Sequence, residues 1–114
     1  MNWLEENINT IICGDIQGDD KMKIHEKKIA SQWFELRLQG LKDWEIRIND
    51  CDYQAGDYMV LSEYDEYYTG RDMIVMITHV AKNVPHLPDD VVVLSTRDTV
   101  PVERSRVLKE VVRK

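Results

Sequence analysis

The sequence lacks most of the features that would assign it quickly to a class. It has only two cysteines, Cys13 and Cys51, far apart and in no CxxC pair, so a metal-knuckle or thioredoxin-type reading is excluded and both are expected to be reduced thiols. No basic stretch followed by an apolar run and a cleavage site opens the chain, and no apolar run approaches the roughly 20 residues a membrane helix needs. A cytoplasmic location without membrane contact is the expectation. Internal repeats and low-complexity segments are missing too. His25, His79 and His86 stand in no CxxC or HExxH context, and Asp50/Asp52 and Asp65/Glu66 read as turn residues, so neither a metal nor a cofactor is expected.

Positive charge is also in short supply. Fifteen Lys and Arg face 21 Asp and Glu, a net charge of −6, which argues against coating nucleic acid through bulk phosphate attraction. The charge is uneven, however: residues 23–47 carry a net +2 through Lys23, Lys27, Lys28, Arg37, Lys42 and Arg47, whereas residues 48–73 carry −6. A local pocket for an anion or nucleotide is compatible with this distribution; a long non-specific tract on DNA is not.

With 114 residues the chain fits one domain able to bury about two thirds of the surface its unfolded form exposes. Residues 1–21 read as an extension: Leu4, Ile8, Ile11 and Ile12 have helical spacing, and the polar "CGDIQGDDK" from 13 to 21 reads as linker. Residues 22–114 read as the domain. Within it "MKIHEKKI" suits a strand, and "SQWFELRLQG" a helix with Ser31 as N-cap, Gly40 as closure and a stripe of Trp33, Phe34, Arg37, Leu38 and Leu41. Residues 43–49 alternate, with Trp44, Ile46 and Ile48 predicted to form the dry face and Asp43, Glu45, Arg47 and Asn49 the other. "YMVLSEY" and "RDMIVMITHV" suit an antiparallel hairpin, "VVVLS" a central strand and "VPVERSRVLKEVVRK" an amphipathic helix. These elements predict an α+β fold: a small curved barrel of five to six mostly antiparallel strands, with a helix beside a cleft and a C-terminal helix.

The stretch "GLKDWEIR", Gly40 to Arg47, puts a basic, an acidic and a second basic group on a segment that otherwise reads as core. Charged residues are rarely buried without partners. An exposed strand face with ion pairs worth about 0–1 kcal/mol each is the plain reading. A site is the other. The string resembles the G-x-K-x-x-E-x-R motif of ASCH domains, the activating-signal-cointegrator homology group of the PUA-like superfamily. The likeness extends through "HEKKI", the aromatic helix, "WEIRINDCDYQAGDYMVLSEYD" and "YTGRDMIVMITHV", about residues 23–96, and is nearest to a small ASCH-like family of phages and bacteria.

That resemblance implies a PUA-like barrel whose cleft binds RNA, a nucleotide or a modified base without catalysis. The matched positions are Lys42, Glu45 and Arg47: a point charge for phosphate, an acceptor for an exocyclic amine, and a forked donor. Asn49, Tyr68 and Arg71 are the remaining ligand-binding candidates, with His25 and Lys28 behind them. Trp33, Tyr53, Tyr67 and Tyr68 are the aromatics available for stacking or for packing. Some ASCH-like proteins hydrolyse acylated cytidines with a threonine three residues after the lysine; here that position is Glu45, so an amidohydrolase using Lys42 and Glu45 ranks second. A protein-interaction module using the acidic 48–73 surface ranks third.

Overall fold

A computed structural model describes residues 12–15 and 22–112. The helix expected around Leu4 to Ile11 lies outside the described residues. Six strands, β1 (Ile12–Asp15), β2 (Lys23–Ala30), β3 (Trp44–Ile48), β4 (Tyr58–Tyr64), β5 (Tyr68–Ala81) and β6 (Val91–Asp98), form one sheet in the order β1-β2-β4-β5-β6-β3. Among the described residues two helices accompany them, α1 (Ser31–Leu38) between β2 and β3, and α2 (Pro101–Val112) after β6. Among the described strands only β2 and β4 pair parallel, and every other neighbour is antiparallel. The α+β class and the curled half-barrel expected from the strand pattern are what the chain adopts.

The curl has a local cause. Strand β5 is 14 residues long and serves β4 with its first part and β6 with its last. Register shifts at Ser62/Tyr64 and Ile77/His79 bend the ladder at both junctions, as bulges do. Alternation along the strands then gives the sheet two apolar faces. Ile29, Met59, Leu61, Val75, Ile77, Val92 and Leu94 pack with Phe34 of α1 and with Cys51 and Tyr53 of the β3–β4 connection. On the opposite side Ile24, Tyr58, Val60 and Ile74 meet Val107 and Val111 of α2. Each fully buried Val, Leu, Ile, Met or Phe side chain among them contributes about 1.5–3 kcal/mol.

Several local expectations are corrected. Ile12–Asp15, read as the end of a helix and the start of a linker, pairs with β2 as a strand. Ser31 is the first helical residue rather than the cap: Ala30 holds that place in extended conformation, with no side-chain bond. Gly40 does close α1, at φ +76°, and its N–H reaches Arg37 O while that of Leu41 reaches Leu36 O. This pair of bonds is the Schellman arrangement, which suits glycine because an L side chain resists that backbone region. Cys51 is disulfide-bonded and buried, not a reduced thiol. Sequence spacing carries no signal for such a bond, because bridging depends on Cα separation in the fold. The cytoplasmic expectation therefore loses the support it drew from reduced thiols. No helix among the described residues is long and apolar enough to cross a membrane.

Candidate functional site: a buried cation cluster on the β3 strand

Strand β3 inverts its expected facing. Trp44 is 37% exposed and Ile46 and Ile48 are half-buried, whereas Glu45 and Arg47 are 3% and 1% exposed. The reason lies in the sheet order: β3 is an edge strand, and α2 covers Ile24, Tyr58, Val60 and Ile74 rather than the apolar side of β3. The polar side of β3 instead faces the same space as α1 and the larger core.

Four charged side chains meet there. The Schellman turn at Gly40 sends the chain back under α1, so Lys42 Nζ donates to Glu45 Oε2 and, at 2.6 Å, to Trp44 O. Arg37, the polar member of the α1 stripe, donates from Nε to Glu45 Oε2 at 2.8 Å, from Nη1 to Thr96 Oγ1 at 3.1 Å and from Nη2 to Trp44 O at 3.1 Å. Arg47 approaches from the other side, giving Nε and Nη2 to Glu45 Oε1 at 3.2 and 2.8 Å. Its Nη1 donates to Lys28 O at 3.3 Å, which links β3 at one end of the sheet to β2 near the other.

Glu45 thus accepts four hydrogen bonds from three cations. Burial alone would raise its pKa, but Arg47, Arg37 and Lys42 outweigh that and hold the carboxyl at about 2. Burial lowers the pKa of Lys42, against the pull of Glu45. Hydrophobic residues of similar volume are often no less stable in such a place than buried ion networks. Stability alone therefore gives little reason for three cations on one carboxylate at the edge of a core.

Beside the cluster lies a hollow of about 250 Å³ lined by Arg37, Gly40, Lys42, Asp43, Thr96, Arg97 and Asp98. Lys42 and Arg37 reach it; Glu45 and Arg47 stand behind them. The three motif residues do converge next to α1, chiefly on one another. Lys42 Nζ also sits 4.6 Å from the centre of the Trp44 ring.

The other candidates are placed elsewhere. Asn49 is exposed at the end of β3, its N–H on Asp90 O. Tyr68 is an exposed neighbour of Tyr64, ring centres 5.1 Å apart, at the β4–β5 turn. Arg71 binds Glu63 and Glu35 and lies 4.9 Å from the Phe34 ring. Tyr53 is fully enclosed and has no free face for a base. His25 is buried against Tyr53, with Nε2 at 2.9 Å from Asp57 and Nδ1 without a hydrogen-bond partner. Asp57 also accepts the N–H groups of Lys23 and Gln54, so the pair ties β2 to the turn before β4. Lys28 touches the cluster through its backbone carbonyl, while its ammonium lies 4.1 Å from the Tyr64 ring centre. Among the described residues no three His, Cys, Asp or Glu side chains are grouped to hold a metal ion.

Two cluster members escape a reading of the motif alone, Arg37 and Thr96. A signal for Arg37 does exist: it is the one charged residue in an otherwise apolar helical stripe. Thr96 has none, since only the pairing of β6 with β3 brings it near.

The chain is 41% identical over 59 residues to a protein of Escherichia phage P2 described as "Uncharacterized 12.9 kDa protein in GpA 3'region". The alignment covers 51% of this chain and 54% of the phage protein, so the chain spans about half the length of the curated relative it matches. Residues 24–96 match the family described as "Domain of unknown function (DUF3850)", a span from β2 to Thr96 that holds every member of the cluster, and the protein belongs to that family.

Proposed function

We propose that this protein is an ASCH-like, PUA-type module that binds RNA, a nucleotide or a modified base in the hollow beside α1, without chemical turnover. The observation that carries the reading is Lys42 at the wall of that hollow, backed by a cluster in which three buried cations share one carboxylate. Such a local excess of positive charge favours an anionic group alongside it. The motif divides its labour. Lys42 faces the ligand; Glu45 holds it in place and opposes the desolvation that lowers its pKa, while Arg37 and Arg47, whose charges push that pKa down further, fix Glu45.

Size limits the ligand. About 250 Å³ falls below the roughly 300–1,000 Å³ of pockets for drug-sized molecules, and suits a phosphoryl group or one base with the rest of the ligand outside. Hydrolysis is less well served. A general base must accept a proton, and Glu45 is held at about 2 with both oxygens engaged by cations.

The test is a titration of the protein with short single-stranded RNA and with adenosine monophosphate at fixed salt, comparing Lys42→Ala with the unaltered chain. A lost charge-assisted contact of about 1.5–3 kcal/mol corresponds to about ten- to a hundredfold weaker binding. Equal affinity of the two proteins would remove the hollow from consideration, and acid release from acylated nucleosides that depends on Lys42 would replace binding by catalysis.

A further inference from the structure

Three cations line the hollow, and their commitments differ. Arg37 spends all three guanidinium nitrogens on Glu45, Thr96 and Trp44. Lys42 is buried and gives two donors to Trp44 and Glu45. Arg97, from the end of β6, has a side chain 44% exposed and engages the Glu103 carboxylate as a fork, Nη1 to Oε1 at 3.0 Å and Nη2 to Oε2 at 2.9 Å. It also donates to Asp98 O and Met76 Sδ.

The charge count at the hollow makes Arg97 decisive. Asp43 and Asp98 line it as well, so Lys42 and Arg37 are balanced among the lining residues and Arg97 supplies the one excess positive charge, which Glu103 offsets for as long as the fork between them holds. Meanwhile Glu103 does not depend on Arg97 for its own place. It accepts the Val100 N–H at 3.0 Å, the return bond of a capping box at the start of α2, and the Tyr58 hydroxyl at 3.1 Å. Arg97 is the more open member of the pair, its side chain 44% exposed against 15% for Glu103, so an anion entering from solvent reaches the guanidinium and competes for its fork. A phosphate offers the same fork geometry as the carboxylate.

Resting on the binding function proposed above, we infer that Arg97 is a second ligand-binding residue of this hollow, held in reserve by Glu103 and transferred to a phosphate-type anion when one enters. Binding then competes with the contact that joins β6 to the first turn of α2. Arg97 and α2 lie beyond the residues matched to the family, so this element is argued from the chain itself. Within it the two partners have opposite effects on affinity. Removing Arg97 weakens binding, whereas removing the charge of Glu103 strengthens it.

The experiment titrates inorganic phosphate and adenosine monophosphate into the full chain and into Arg97→Ala, Glu103→Gln and Lys42→Ala, with amide NMR shifts as readout at one salt concentration. Glutamine keeps the capping bond, so Glu103→Gln should remain folded and bind about three- to tenfold tighter, the scale of a partly exposed ion pair. Arg97→Ala should bind about tenfold more weakly, and Lys42→Ala more weakly still. Unchanged affinity in Arg97→Ala, or equal or weaker binding in Glu103→Gln, while Lys42→Ala loses affinity, overturns the role of Arg97 and leaves the hollow standing. If neither probe binds the unaltered chain, or Lys42→Ala binds as well as it does, the hollow itself falls and Arg97 with it.

Discussion

Helix α1 reaches into two ion clusters, one through Glu35 and one through Arg37, and the two are built from the same residue types to different effect. Toward its C-terminus Arg37 joins Lys42 and Arg47 around Glu45, all but sealed from water. Nearer its start Glu35 and Glu63 share Arg71, whose side chain is about half exposed. In the first, three cations surround one carboxylate; in the second, two carboxylates surround one cation. Water screens the Glu35–Arg71 pair of the second, about half exposed on both sides, and leaves it little energy to give, while Glu63 in that cluster and every charge of the first must be matched within the protein. Burial, rather than the presence of a salt bridge, separates a structural or functional cluster from a decorative one.

The largest expected effect is on the buried cluster. Glu45→Gln leaves three cations around a neutral amide, and breaking a buried ion network costs about 3–5 kcal/mol. Urea unfolding should show a clear drop in midpoint with little change in slope; a loss under about 1 kcal/mol would mean that the cluster is hydrated and that the contrast fails.

Acid titration gives a somewhat smaller effect with a definite sign. The pKa of Glu45 is depressed in the folded chain from 4.5 to about 2, so its contribution is complete above about 4.5 and is lost as the pH falls toward 2. The amount is about 3 kcal/mol. Glu63, held down mainly by Arg71, and Glu103, held down mainly by Arg97, both at about 2, add in the same direction. Stability measured from pH 6 to pH 2 should fall less steeply in Glu45→Gln than in the unaltered chain; parallel curves would deny Glu45 its depressed pKa.

The smallest effect belongs to the exposed pair. Glu35→Gln should leave the thermal midpoint and the binding of adenosine monophosphate unchanged within error, since Arg71 keeps Glu63. A substantial loss in either measurement would erase the distinction between the two clusters.

Much of this arrangement is legible in the chain. Period-two alternation locates β3, and the apolar runs "YMVLSEY" and "VVVLS" locate β4 and β6, because a strand buried in the sheet needs apolar residues along most of its length. Gly40 is legible as a helix stop because the turn needs positive φ. Ser31 misleads: a serine before an apolar run is a common cap, yet β2 continues in extended conformation as far as Ala30 and the helix begins one residue early. The motif residues are visible as a group, but their mutual saturation is not, since Arg37 and Thr96 come from α1 and β6. Asn49, Tyr68 and Arg71, grouped with the motif as ligand-binding candidates, stand away from it because β3 runs out at Ile48 and the start of β5 meets α1 at Glu35 rather than at Arg37.

By itself the sequence determined the element types and the α+β class, which follow from local periodicity, and a motif resemblance within it singled out the lysine, glutamate and arginine worth testing. Which face of β3 is buried, that Cys51 is bridged, and that Glu45 is spent on holding cations were decided only when β3 was placed at the sheet edge beneath α1. Facing, bridging and charge pairing are properties of neighbours distant in the chain, and an alternating strand reads the same whichever side the core takes.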